Sequence, residues 1–302
     1  MLTYVSGDLF TSPARVLVNT VNTVGVMGKS VALQFKTAFP DMFREYQLLC
    51  EKRSLRPGVL WLYKTQHKWI LNFPTKEHWR NPSRTEYIDA GLRTLAHAYS
   101  RWNLTSIAMP RLGCGNGGLD WESQVRPLVE RHLAGLKAMD VFVYSYSQEF
   151  TSEHRIPEET RRWLRCARQD LPFGQMWDDL VRLVGFGTEV ATPDGRRWTV
   201  QVLREPARLT IAASHSSVTI DGEHLFELWQ HIRSFGFCLP PTLPPYAEVI
   251  GAPLVALLGR LDYMRHVKIE FEGQSWAALQ LTPPAAADGE RLLVVRGVPT
   301  HR

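Results

Sequence analysis

Cysteine is scarce in this chain of 302 residues: Cys50, Cys114, Cys166 and Cys238 are scattered, and no two form a C-x-x-C pair. That spacing argues against a disulfide framework and against a zinc site, and fits a protein of a reduced compartment. His215, His224 and His231 share no metal-binding spacing, so no metal is expected and no cofactor is implied. An apolar run of about 18 residues is missing, as is a signal-peptide core. The expectation is a cytoplasmic protein with no membrane partner. The chain also lacks G-x-G-x-x-G followed about 20 residues on by an acidic ribose-binding residue, which disfavours a Rossmann dinucleotide site.

What is present is ample apolar material, 44% of the chain, enough for two domains with real cores. Charge is divided unevenly. Residues 1–150 carry 18 lysines and arginines against 12 acids, while 151–302 carry 17 against 18. A basic first half can dock on a polyanion such as nucleic acid, although a merely solvated basic surface gives the same count.

The first half is organised around Val16 to Phe35. A short apolar strand runs into Asn19 and Asn22, then into the loop Gly25, Val26, Met27, Gly28, and resumes as a helical pattern. Neither asparagine suits a strand. Both stand where a strand's C-terminal end meets a helix start, the place where open α/β sheets bind ligands and unpaired N–H groups can face a diphosphate. A plain βα turn is the alternative for the glycines alone.

Two further strands end in unusual loops. Met1 to Val5 reads as a strand exiting at Gly7, Asp8 and Leu9, where Asp8 is either an acceptor for an adenine amino group or the cap of a turn. Trp69 to Phe73 ends in N-F-P-T-K, and Lys76, amid Phe73, Pro74 and Trp79, reads either as a desolvated amine suited to nucleophilic or acid/base chemistry or as a surface lysine. Ser106 to Pro110 opens into Gly113, Cys114, Gly115, Asn116, Gly117, Gly118 and Leu119, with four glycines in six residues. Such a run offers successive N–H groups to an anion, and a helix from about Trp121, capped by Asp120, adds its positive end. Cys114 has no partnered histidine and reads as a small packing residue. Pro40 breaks a helix, with Asp41 as cap of the next; a further helix is expected over 81–102 with Asn81 or Ser83 as cap, and Val141 to Tyr146 closes the sheet.

Taken together, Asn19 to Lys29 (N-T-V-N-T-V-G-V-M-G-K), Asn72 to Lys76 (N-F-P-T-K) and Pro110 to Trp121 (P-R-L-G-C-G-N-G-G-L-D-W) resemble the macrodomains, and within them the DarG family, the DNA ADP-ribosyl glycohydrolase antitoxins of DarTG toxin–antitoxin pairs. The resemblance covers half the chain. It implies a three-layer α/β/α fold with a mixed central sheet, adenine near Asp8 and Leu9, the distal ribose near Asn22, and a diphosphate between the loop Gly25 to Gly28 and the loop Gly113 to Gly118. It implies Lys76 as the catalytic residue. The implied substrate is ADP-ribosylated DNA, the product ADP-ribose, and the partner a DarT-like toxin protein. One departure stands out: related eukaryotic hydrolases that pass through a lysyl intermediate carry an aspartate in the glycine loop, where this chain has Gly117.

Residues 151–170 read as a charged helical connector, and 171–302 as a smaller α+β domain with its own core, assigned to toxin binding. Its expected elements are a helix to Val184, a hairpin turning at Pro193 to Gly195, strands over 208–220, helices after Asp221 and over 246–261, and late strands over 267–272, 276–281 and 292–295. Two other functions fit the same pocket: a non-catalytic ADP-ribose reader, which needs no lysine at the scissile bond, and a hydrolase acting on protein carboxylates.

Overall fold

The computed structural model describes residues 1–65, 68–145, 171–214 and 216–282. The helical connector expected over 151–170, the strand over 292–295, Tyr146, Cys166 and His215 lie outside the described residues.

Among the described residues, nine strands form one mixed sheet. In chain order the first six are β1 (Leu2–Ser6), β2 (Val16–Val21), β3 (Trp61–Lys64), β4 (Trp69–Pro74), β5 (Ser106–Pro110) and β6 (Asp140–Ser145). β1, β6, β5, β2 and β4 run parallel in that spatial order, and β3 adds antiparallel at the far edge. Helices α1 (Ser30–Ala38) and α2 (Pro40–Glu51) cover one face; α3 (Thr85–Ala98) and α4 (Arg126–Leu133) cover the other. Strand periodicity decides which residues go where. Leu17 points into the core with Phe35, Met42 and Tyr46, while Val16 and Val18 point into the core with Ile88, Leu92 and Val129. Each large side chain so buried contributes about 1.5–3 kcal/mol. The expected three-layer α/β/α arrangement is the one found.

Helix starts depart from the sequence expectation. α2 begins at Pro40 with Phe39 in the cap position and Asp41 in the first turn, and α3 begins at Thr85 after Arg84; neither has a side-chain cap. Ser83 is used elsewhere, its N–H donating to the Gly117 carbonyl at 2.9 Å.

The second half contains α5 (Phe173–Val184), β7 (Thr188–Ala191), β8 (Arg197–Leu203), β9 (Arg208–Ala213), β10 (Ser216–Asp221), α6 (Gly222–Phe235), β11 (Phe237–Cys238), α7 (Pro245–Glu248), α8 (Gly251–Leu258), β12 (Met264–Phe271) and β13 (Gln274–Leu281). Strands β7 to β10 make an antiparallel meander whose inner face packs with α5, α6 and α8 around Trp177, Leu180, Ile211, Trp229 and Leu254. This is the separate core expected. The helix foreseen over 246–261 is broken in two where Gly251 lies against Pro240, with room for no side chain.

The late strands do not stay within that lobe. β12 pairs antiparallel with β1 (Tyr4 opposite Glu270, Val5 opposite Ile269), β13 pairs with β12 and β11 with β13, extending the first sheet. β6, expected to close the sheet, is an inner strand between β1 and β5. Phe237, Leu239, Ile269 and Ala278 join the core of the first half, and buried Gln280 donates to the Thr11 carbonyl at 2.7 Å while accepting from the Tyr144 hydroxyl at 3.1 Å. The second half has a core of its own, but its late strands also enter the core and the sheet of the first half.

Candidate functional site

The three loop motifs meet because their strands are neighbours. β5, β2 and β4 lie side by side and parallel, so their C-terminal ends line up, and the loops leaving them surround one cavity of about 990 Å³. Ligand cavities span roughly 300–1,000 Å³, which places this one at the large end.

The Asn loop is built by its own side chains. Asn22 accepts from the N–H of Val24 (3.0 Å) and Val26 (3.3 Å) through Oδ1, and donates through Nδ2 to the Val26 carbonyl at 2.6 Å. The Tyr46 hydroxyl, fully buried on α2, lies 2.9 Å from the Asn22 carbonyl and 3.0 Å from its Oδ1. Asn22 thus lines the cavity as the staple of the loop. Asn19 lies beneath, donating to Asn72 Oδ1 at 2.9 Å and touching the Met27 sulfur at 3.7 Å; both Asn19 and Met27 are buried and support the floor.

The glycine loop is shaped as much by packing as by openness. Gly113 adopts φ +71°, a left-handed conformation that favours glycine. Gly117 is hemmed in: a Cβ there would stand 2.2 Å from the Gly113 carbonyl oxygen and 2.4 Å from Ser83 Oγ. Gly115, by contrast, faces open space on the cavity wall. Asp120 does cap the turn that follows, accepting from the Ser123 N–H (2.8 Å) and hydroxyl (2.6 Å), and these bonds hold its carboxyl below the usual carboxylate range. The turn over 121–125 has π geometry and carries Trp121 on the cavity wall.

Lys76 spans the cleft. Its Nζ donates to the Asn116 carbonyl at 2.8 Å, and Asn116 Nδ2 in turn donates to Ser30 Oγ at 2.9 Å, linking the ends of β4, β5 and β2. Burial lowers the ammonium pKa, and among the described residues no carboxylate pairs with it. Cys114 is no nucleophile: burial pushes its thiol up to about 11, and it donates to the Leu112 carbonyl at 3.4 Å.

Of the residues predicted from sequence, the cavity wall contains Asn22, Val26, Gly28, Lys76, Gly113, Cys114, Gly115, Asn116, Gly117 and Leu119. Asp8, Leu9, Asn19, Gly25, Met27 and Gly118 are not on it. Asp8 caps the short turn over Leu9–Thr11, accepting from the Phe10 N–H at 2.9 Å, and Leu9 is swallowed by the core. Gly25 backs onto α2, 3.7 Å from the Cys50 side chain as a Cβ would measure it. Sequence reading missed Ser30, Trp79, Arg80, Ser83, Arg111, Tyr144 and Ser145 on the wall. Arg80 and Ser83 follow the N-F-P-T-K motif closely, and that proximity is the one signal that could have found them. Among the described residues no three His, Cys, Asp or Glu cluster to hold a metal, and no helix is long and apolar enough to cross a membrane.

Comparison with known proteins agrees with this geometry. The family model described as "Macro domain" matches residues 18–127. A Thermus aquaticus protein named DNA ADP-ribosyl glycohydrolase is 43% identical over 200 residues, 65% of this chain and 53% of that one. A Thermosipho africanus protein named a DNA ADP-ribosyl transferase–DNA ADP-ribosyl glycohydrolase fusion is 39% identical over 176 residues, 52% of this chain and 44% of that one. The chain spans about half the length of the curated relatives it matches. The solved macrodomain of Thermus aquaticus DarG is 47% identical, with 48% of this chain and 98% of that chain covered at a TM-score of 0.46. Residues 18–127, which carry all three loops around the one cleft, match the macrodomain family model, and the first half of the chain is similar in sequence to the Thermus and Thermosipho proteins named above.

Proposed function

We propose that the cleft binds ADP-ribose and releases it from thymine bases of DNA. The observation that carries this reading is Lys76: a partly desolvated amine with no carboxylate partner among the described residues, set where the ends of three parallel strands converge. A simple reader of ADP-ribose has no use for such a group. The glycine loop and the loop Gly25 to Gly28 hold the diphosphate, and the end of the cleft near Tyr144 and Ser145, the strand end next to Asp8, takes the adenine. The names of the similar Thermus and Thermosipho proteins support DNA as the carrier of the ADP-ribose.

In the reaction, the bond between C1″ of the distal ribose and a thymine nitrogen breaks. The base leaves with the electron pair, and positive charge develops on the sugar. The lowered pKa raises the neutral fraction of Lys76, which suits attack of Nζ on C1″ followed by water. Asp120 is occupied as a turn cap and points its carboxylate at Ser123, so it does not supply the missing loop aspartate. For the second half we propose contact with a DarT-like toxin, in keeping with the fusion of transferase and glycohydrolase in the Thermosipho relative.

The test is to incubate the protein with an ADP-ribosylated oligonucleotide and, separately, with carboxylate-ADP-ribosylated protein, following released ADP-ribose. Release from the oligonucleotide is expected; release only from protein overturns the DNA reading. Pull-down of the toxin by the full chain and by a version ending at residue 150 tests the partner, which is expected to be lost on truncation.

A further inference from the structure

Five non-glycine residues among those described hold a positive φ, and four of them, Arg53, Asn103, Ala138 and Glu272, sit on turns off the cavity wall. The fifth is Ser30, at φ +48°, the first residue of α1 and part of that wall. Glycine takes this conformation freely, whereas a side chain there costs energy, and such strain persists where the surroundings make use of it. The helix start makes no use of the hydroxyl, since α1 has no side-chain cap. It is spent across the cleft instead, accepting from Asn116 Nδ2 at 2.9 Å.

That bond joins the start of α1, which follows the loop Gly25 to Gly28, to the glycine loop on the other side of the cavity. Asn116 is exposed, while Val21 and Asn22 on the cavity floor are buried, so the bond lies on the solvent side. Asn116 and Gly117 are the central pair of a turn closed by the Gly118 N–H donating to the Gly115 carbonyl at 3.1 Å. The peptide between the central pair takes no part in that closure, so its direction is set by what it meets outside the turn. Its carbonyl accepts from Lys76 Nζ at 2.8 Å, and the Asn116 side chain is anchored on Ser30. A carbonyl accepts a hydrogen bond but takes up no proton, so it orients the amine without acting as a base. One N–H is held toward the loop, and the nitrogen lone pair is left for the cleft.

We propose that Ser30 is a positioning residue: with Asn116 it forms a crossbar over the diphosphate channel that fixes the Asn116 carbonyl, and through it the Lys76 amine, and slows the escape of bound ADP-ribose. This rests on the reading of the cleft as the ADP-ribose site. A hydroxyl that accepts still has its own proton to give, and that of Ser30 meets no acceptor among the described residues. A phosphate oxygen beneath the bar supplies one, and the chain of bonds then runs from phosphate through Ser30 and Asn116 to Lys76. Parting the two loops to release the ligand breaks that chain.

The experiment separates the hydroxyl from the backbone. Ser30→Gly and Ser30→Ala both delete the hydroxyl, but only glycine relieves the positive φ, so equal kinetic losses in the two assign the effect to the hydroxyl. Dissociation of ADP-ribose is followed by stopped-flow tryptophan fluorescence, Trp121 being on the wall, and kcat and KM are measured on an ADP-ribosylated oligonucleotide. Each variant should release ADP-ribose about fivefold faster and lose about fivefold in kcat, the effect of one net hydrogen bond, with its melting temperature close to wild type. Asn116→Ala should match them, and Ser30→Gly combined with Asn116→Ala should be no worse than either alone, because both delete the same bond. Wild-type kinetics in Ser30→Gly, or losses that multiply in the double variant, overturn the crossbar. A wild-type protein that binds ADP-ribose but frees none from modified DNA removes the hydrolase reading, and the dissociation rates still decide the crossbar; turnover by wild type and Ser30→Gly alike removes the crossbar alone.

Discussion

The two lobes differ in what their polar residues build. In the second half, the hydrogen bonds within the meander close on near neighbours: Asp221 caps α6 and accepts from His224 at 2.8 Å, Thr210 meets Thr219 across the strands at 3.1 Å, and Thr192 bonds Asp194 within a turn; its longer-range bonds, Trp229 to the Leu171 carbonyl and Arg260 to Thr188 and Glu189, tie helices and turns to the lobe without gathering loops around a cavity. In the first half they span the sheet: Lys76 to Asn116, Asn116 to Ser30, Asn19 to Asn72. A meander of antiparallel strands joins sequence neighbours and leaves its polar groups to be satisfied locally. Parallel strands end on the same side, bring distant loops together, and so create a site. Yet the lobes are not independent. Arg126 on α4 pairs with Glu270 on β12 at 2.6 Å and with Glu122 and Glu130, and its guanidinium lies 4.7 Å from the Tyr4 ring centroid, while Tyr4 packs edge-on against Trp121 on the cavity wall.

The sharpest break of this contrast is Lys76→Ala. Release of ADP-ribose from modified DNA should fall by at least on the order of 10²–10⁴, while calorimetric affinity for ADP-ribose stays within about tenfold, or about 1.4 kcal/mol. Near wild-type turnover would remove Lys76 from the chemistry. Next in size is truncation after residue 150, which strips β12 from β1 and takes Phe237, Ile269 and Ala278 out of the shared core. The bare edge of β1 should make the fragment less stable and prone to association in light scattering, with its cleft residues intact; a monomeric fragment melting like the full chain would mean the shared sheet contributes little.

Gly117→Val should lower ADP-ribose affinity by about a hundredfold with circular dichroism unchanged, because the branched side chain collides with the Gly113 carbonyl and Ser83 and the loop must open. Unaltered affinity would place the phosphates elsewhere. The pH profile sharpens the role of the amine. As a nucleophile Lys76 must be neutral, so kcat/KM should rise with pH and level off above its pKa, which burial holds below that of an exposed lysine; a fall over the same interval would make it the acid. The smallest effect is expected from Tyr46→Phe, which removes the hydroxyl bonded to Asn22 from behind the loop. Loss of about 1 kcal/mol corresponds to roughly a fivefold weaker binding of ADP-ribose, measurable by calorimetry.

The amino-acid sequence determined a good deal by itself. The short apolar run Val16, Leu17 and Val18 and the apolar patterns of the helices specify strands and helices locally, and the glycine run after Pro110 specifies a loop no core could use. Lys76, Asn22 and the glycine loop could be picked out because their residue types fit no packing role at a strand end. Tertiary structure decided the rest. That Asn22 is a staple, that Asp8 caps a turn, and that Trp79, Arg80 and Tyr144 share a wall with Lys76 depends on which strands are neighbours and on where each side chain finds its partner. The pairing of β12 with β1 is the clearest case. The pattern over 264–271 announces a strand, but strand pairing is a contact between residues some 260 positions apart, made by backbone groups every residue possesses, so nothing in the local sequence says which edge it will join.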